Sequence, residues 1–92
     1  MGGVTVRPVT GVDARVLDNG WMELHHPGGG ALLCNLEETA MWLCLAENGW
    51  HVGDAAIRLA DAWGCQPWNV RDRMNDWLDG LLAAGLVTHT PK

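Results

Sequence analysis

Apolar and polar positions alternate over the first third of the chain, then shift to a three-to-four-residue spacing after Asn35. Alternation marks half-buried strands, and the longer spacing marks helices. "VTVRPV" (4–9) alternates weakly. "ARVLD" (14–18) and "WMELHH" (21–26) flank Asn19-Gly20, a strong hairpin signal that predicts antiparallel pairing. "PGGG" (27–30) is a second turn, and "ALLCN" (31–35) is a third strand, at the edge of the sheet.

Asn35 is also placed to cap a helix, with Glu38 as the reciprocal partner of a capping box. That helix spans about 36–47 and stops at Asn48-Gly49. A second spans about 52–63, with Gly64 as its C-terminal cap. Val52, Ala56, Leu59, Ala60 and Trp63 share its apolar face, and Asp54, Arg58 and Asp61 its polar one. Pro67 suits the first position of a third helix, although Gln66 before it is a weak cap. Val70, Met74, Trp77, Leu78 and Leu81 form its stripe, Gly85 ends it, and "LVTHT" (86–90) is a short extended tail. The order predicts an α+β domain of winged helix-turn-helix type: a three-stranded antiparallel sheet (about 14–35) followed by three helices (about 36–84), one domain over 1–92.

The first helix is apolar on nearly every side, which is excessive for one small core. Trp42 falls off the Leu36, Ala40, Leu43 stripe, so it either packs on the sheet or meets a partner. All six large aromatics are Trp, and Trp63 and Trp77 fall on or beside core stripes.

Composition narrows the function. Eleven acidic against six basic residues give a net charge of −5, and the only Lys is Lys92. Duplex nucleic acid, which is bound through clustered cations, is thereby disfavoured as a partner. No run approaches the roughly 20 apolar residues of a membrane span. The N-terminus lacks a secretory pattern, and Val6 stands where a myristoylation motif wants Ser or Thr, so a cytoplasmic location is expected. Cys34, Cys44 and Cys65 form no CxxC pair and are expected as buried thiols. His25 and His26 are strand neighbours pointing to opposite faces, unsuited to chelating one ion. Gly28, Gly29 and Gly30 lack the Lys of a phosphate loop, and Asp72, Asp76 and Asp79 follow a solvated face. With no nucleophile and base in a recognisable pattern, the expectation is a protein that is not an enzyme and holds no cofactor or metal.

The ordered residues Leu36, Glu38, Ala40, Asn48-Gly49, Val52, Asp54, Ala56, Leu59, Gly64, Val70, Leu78, Leu81 and Gly85-Leu86-Val87 resemble the PqqD-like family. These are the peptide-binding domains called RiPP recognition elements. The family pattern is a strand ending in Leu-Asn or Leu-Asp, then Glu-x-Ala, a helix closed by Asp-Gly, and Val-x-Glu-Ile-Ala. A third helix with a Val-x-x-Asp-Val core ends in Gly-Leu-Val or Gly-Leu-Ile. The resemblance covers 21–87. Glu37 replaces the Asn or Asp, the turn after Gly49 is one residue short, and Arg73 stands where the family often has Asp.

The resemblance implies a standalone, non-catalytic peptide chaperone, as in some lasso-peptide systems and in pyrroloquinoline quinone biosynthesis. It would capture the leader segment of a ribosomally made precursor peptide for a partner modifying enzyme: a peptidase, a radical enzyme or a cyclase. The leader would add as a strand along Ala31, Leu32, Leu33, Cys34 and Asn35, in a groove bordered by the third helix. Met74 and Trp77 would floor the groove, unless they are simply core, and Val70 would line its mouth. Arg73 either faces solvent without a role or favours an acidic leader residue. Surplus apolar surface at Trp42 and Leu45 would meet the partner enzyme, with the chain a monomer or weak dimer. Two other functions fit less well: a winged-helix DNA-binding regulator, whose third helix would carry Arg71 and Arg73 against three aspartates, and a structural subunit dimerising through its tryptophans.

Overall fold

The computed structural model describes residues 6–89. Its elements are β1 (Val6–Pro8), β2 (Asp13–Val16), β3 (Met22–His25), β4 (Ala31–Cys34), α1 (Leu36–Glu47), α2 (Val52–Trp63), α3 (Pro67–Ala83) and β5 (Val87–His89). An antiparallel sheet in the order β2-β3-β4 is followed by three helices, an α+β architecture. The extended tail is more than a tail: β5 pairs antiparallel with β1, Val6 opposite His89 and Pro8 opposite Val87. This second sheet ties the chain's start to the end of α3 and buries Val6, Leu86 and Val87. The first two residues of the expected 4–9 strand lie outside the described residues.

Both hairpins of the main sheet have three-residue loops. Leu17 N–H donates to Trp21 O and Gly20 N–H to Leu17 O. Gly20 takes φ +87°, whereas Asn19 keeps a negative φ. A two-residue Asn-Gly loop needs positive φ at both positions, so the turn tightens over Asp18 and Asn19, and Gly20 returns the chain to the strand. The register shifts by one residue and sets Val16 opposite Met22. The second loop repeats this: His26 N–H donates to Gly30 O, Gly29 N–H to His26 O, and Gly29 takes φ +109°.

Helix starts follow local chemistry. Asn35 Oδ1 accepts from Glu38 N–H at 2.8 Å, and Glu38 Oε1 accepts from Asn35 N–H at 3.0 Å. The reciprocal box satisfies donors the first turn leaves open. Pro67 opens α3, and Gln66 makes no side-chain cap bond. Gly64 ends α2 in the left-handed conformation.

Met22, Leu24 and Cys34 point inward from the sheet onto Met41, Trp42 and Leu45 of α1, Ala55 and Leu59 of α2, and Val70, Met74, Leu78 and Leu81 of α3. Two expectations are corrected here. Trp63 does not complete the core face of α2: the buried set is Val52, Ala55, Ala56, Leu59 and Ala60, and Trp63 lies exposed at the helix end. Cys65 is exposed, beyond the α2 cap, while Cys34 and Cys44 are buried.

Candidate functional site

The main sheet has two edges, and they differ. Along β3 the hydrogen-bonded pairs alternate. The Leu17–Trp21 bond commits residues 21, 23 and 25 to β2, and the His26–Gly30 bond commits 22, 24 and 26 to β4. On β4, Leu32 and Cys34 therefore bond to β3, and Ala31 and Leu33 direct their N–H and C=O groups to the open side. Among the described residues no strand pairs there. The opposite edge, β2, carries the Asp13–Arg15 ion pair (3.7 Å), charge of the kind that guards a strand from unwanted pairing. β4 has no charge and no proline, and Leu32 and Leu33 are exposed.

One cavity lies at this edge, and a second lies near the start of α1. A cavity of about 460 Å³ is lined by Leu24, His26, Ala31, Leu32, Ala84 and Leu86, together with the loop glycines, where the β3–β4 hairpin faces the end of α3. A second, of about 280 Å³, lies where α1 begins, lined by Glu37, Trp63, Cys65, Asn69, Val70 and Arg73. Arg73 Nη1 donates to Glu37 Oε2, an ion pair joining α1 to α3. Glu37 and Arg73 thus meet each other, 36 residues apart in sequence.

The expected site residues separate. Ala31 and Leu32 line the larger cavity; Val70 and Arg73 line the smaller. Leu33 is on the outer sheet face opposite Glu23. Cys34 alternates inward and is fully buried. Asn35 is not strand: its side chain and N–H are both engaged in the capping box. Met74 is a core residue with no exposed surface, because the α3 stripe packs against the body of the domain. Trp77 is half-buried and borders neither cavity; its ring meets Trp42 edge-on with centroids 6.3 Å apart, and its indole N–H is buried with no acceptor among the described residues. Trp42 (5 % exposed) and Leu45 (0 %) offer no surface to a partner enzyme. The helix turns them inward, Trp42 edge-on to Trp50 at 4.9 Å, and presents Leu36 and Leu43 outward instead.

Leu24, His26, Ala84 and Leu86 at the larger cavity were not expected as site residues. The hairpin register carries a signal for one of them, since pairing Leu24 with Leu32 makes both face the same side. Nothing local announces Ala84 and Leu86, which arrive through the packing of α3.

His26 Nδ1 accepts from Gly28 N–H, and His25 Nε2 lies 3.2 Å from Glu23 Oε1. Among the described residues no three His, Cys, Asp or Glu converge as a metal site. Burial, and secondarily the Glu38 carboxylate, push the Cys34 thiol up to about 11. Burial and then Glu47 also raise Cys44. The thiolate is the nucleophile that attacks a disulfide reagent and expels its chromogenic thiolate, so at pH 8 only the exposed Cys65 is expected to react rapidly with a chromogenic disulfide, and all three cysteines after denaturation. A second fast thiol in the folded protein would contradict this burial. Because Cys65 lines the smaller cavity, its rate also reports on anything bound there.

No described helix is long and apolar enough to cross a membrane. Compared with known protein families, curated proteins and solved structures, the chain matches no family model, no curated protein and no solved structure.

Proposed function

We propose that this chain is a non-catalytic, cytoplasmic peptide-binding domain that takes the leader segment of a ribosomally made precursor as an added strand on β4 and presents it to a partner modifying enzyme. The observation that carries the reading is the contrast between the sheet's edges: β2 guarded by charge, β4 apolar with the outward backbone of Ala31 and Leu33 unpaired by any described strand. An open apolar edge is an aggregation hazard unless something is meant to occupy it. In strand addition, backbone bonds supply affinity and flanking pockets supply selectivity. Here the flanking pockets are the two cavities beside α3. The leader-peptide identity of the occupant and the winged-helix relationship rest on the ordered resemblance to PqqD-like domains, not on the geometry.

The test is titration of the labelled protein with the leader of a precursor peptide encoded beside it. Ordering a flexible segment limits affinity, so a Kd on the order of 0.1–10 µM is expected. Amide shifts should concentrate at Ala31, Leu32 and Leu33 and along the cavity-lining side of α3. Shifts confined to the β2 side of the first hairpin would overturn the reading.

A further inference from the structure

The open ladder on β4 is short. Leu33 is its last residue with outward backbone groups, because the next such position, Asn35, donates its N–H to Glu38. A peptide paired with Ala31 and Leu33 therefore leaves the ladder at the start of α1, beside the smaller cavity. Beyond that point only side chains can carry recognition. The cation lining this cavity is Arg73, and its guanidinium is held by the Glu37 carboxylate across the opening. Both side chains are substantially solvated, 63 % and 43 % exposed, so the partner can be exchanged at small cost.

We infer that Arg73 selects peptides with a carboxylate side chain at the position following the β4 ladder, and that Glu37 is its built-in stand-in, which the peptide's acid displaces. The inference rests on strand addition at β4. The guanidinium fork suits bidentate exchange between carboxylates. The chain's net charge of −5 disfavours acids along the rest of a peptide, so the preference is positional rather than general. Glu37 lowers affinity for the correct peptide, which must displace it, and costs a neutral side chain little, so it softens the preference that Arg73 sets.

The experiment selects a display library of random twelve-residue peptides on the natural chain, on Glu37→Gln and on Arg73→Gln, with melting curves confirming that each variant folds. Enrichment of Asp or Glu at one position is expected on the natural chain, stronger on Glu37→Gln and absent on Arg73→Gln. Synthetic peptides differing only as Asp or Asn there should differ roughly 2- to 5-fold in affinity on the natural chain and more on Glu37→Gln, the scale of a solvated ion pair. Selected peptides that shift the Ala31 and Leu33 amides but show the same charge at every position on all three proteins would overturn the role of Arg73 alone. If no pool yields peptides that shift those amides, the strand-addition reading fails, and this inference with it.

Discussion

Replacing Leu33 with proline is expected to weaken peptide capture strongly while leaving the domain folded. The Leu33 N–H points away from β3, so a proline there removes no bond of the β3–β4 ladder. Proline is tolerated on an edge strand in that orientation. It deletes one donor that an added strand needs, and its ring stands where the incoming backbone would lie. A net loss of about 0.5–1.5 kcal/mol per backbone bond, for the two bonds of that pair plus the obstruction, predicts at least a roughly 10-fold rise in Kd. Leu32→Pro, one residue earlier, is the control of opposite outcome. The Leu32 N–H bonds to β3, and its loss should cost about 2–3 kcal/mol of stability. Calorimetric titration and thermal unfolding of both variants separate the two effects. Undiminished binding by Leu33→Pro, or a collapse of its stability, would mean that β4 does not present its edge in this register.

Much of the fold was legible wherever a boundary is set by local chemistry. Asn35 with Glu38, Pro67, Gly64 and Gly85 each mark a helix end for a reason confined to a few residues, and all three helices form at the expected places. The β1–β5 pair was not legible, because each strand has three residues and the partner is some 80 residues away. Its stability comes from burying Val6 and Val87, not from any propensity of "VRP" or "VTH". The hairpin loop was half legible. Asn19-Gly20 announced a turn, but Gly20 serves equally in a two- or a three-residue loop, and the choice lies in the φ of Asn19. The candidate site was legible as a strand and less so as a groove. The edge was placed correctly in sequence, and the stripe of α3 was identified, but stripes describe what a helix buries, so Val70 and Met74 turned inward. Ala84 and Leu86 help line the cavity beside β4, and the Glu37–Arg73 pair lines the one near the start of α1. Glu37 and Arg73 each stood out singly, and their meeting depends on how α3 crosses the first turn of α1.

Helix α1 provides the sharpest test of rotation. Its residues are apolar on several sides, so periodicity alone left open which ones face the core, and the Leu36, Ala40, Leu43 stripe suggested the wrong side. In the fold Trp42 packs edge-on between Trp50 and Trp77, and Leu43 stands 45 % exposed. Trp42→Ala should then remove a buried indole and leave a cavity that three helices cannot readily fill, a loss of about 3–5 kcal/mol. Edge-to-face contacts with the other two rings disappear as well. Against a folding margin of roughly 5–10 kcal/mol this is severe. For a domain of this size it corresponds to a fall in Tm of about 15–30 °C. Leu43→Ala, one residue on, should change stability by less than about 0.5 kcal/mol. A Trp42 partly turned to solvent would reverse the ranking: Trp42→Ala would leave Tm almost unmoved, and Leu43→Ala would lower it. Denaturant melts followed by circular dichroism decide between these outcomes without depending on tryptophan emission, which the substitution itself alters. A collapse on Trp42→Ala would also remove Trp42 as a docking residue and leave Leu36 and Leu43 as the apolar surface of α1.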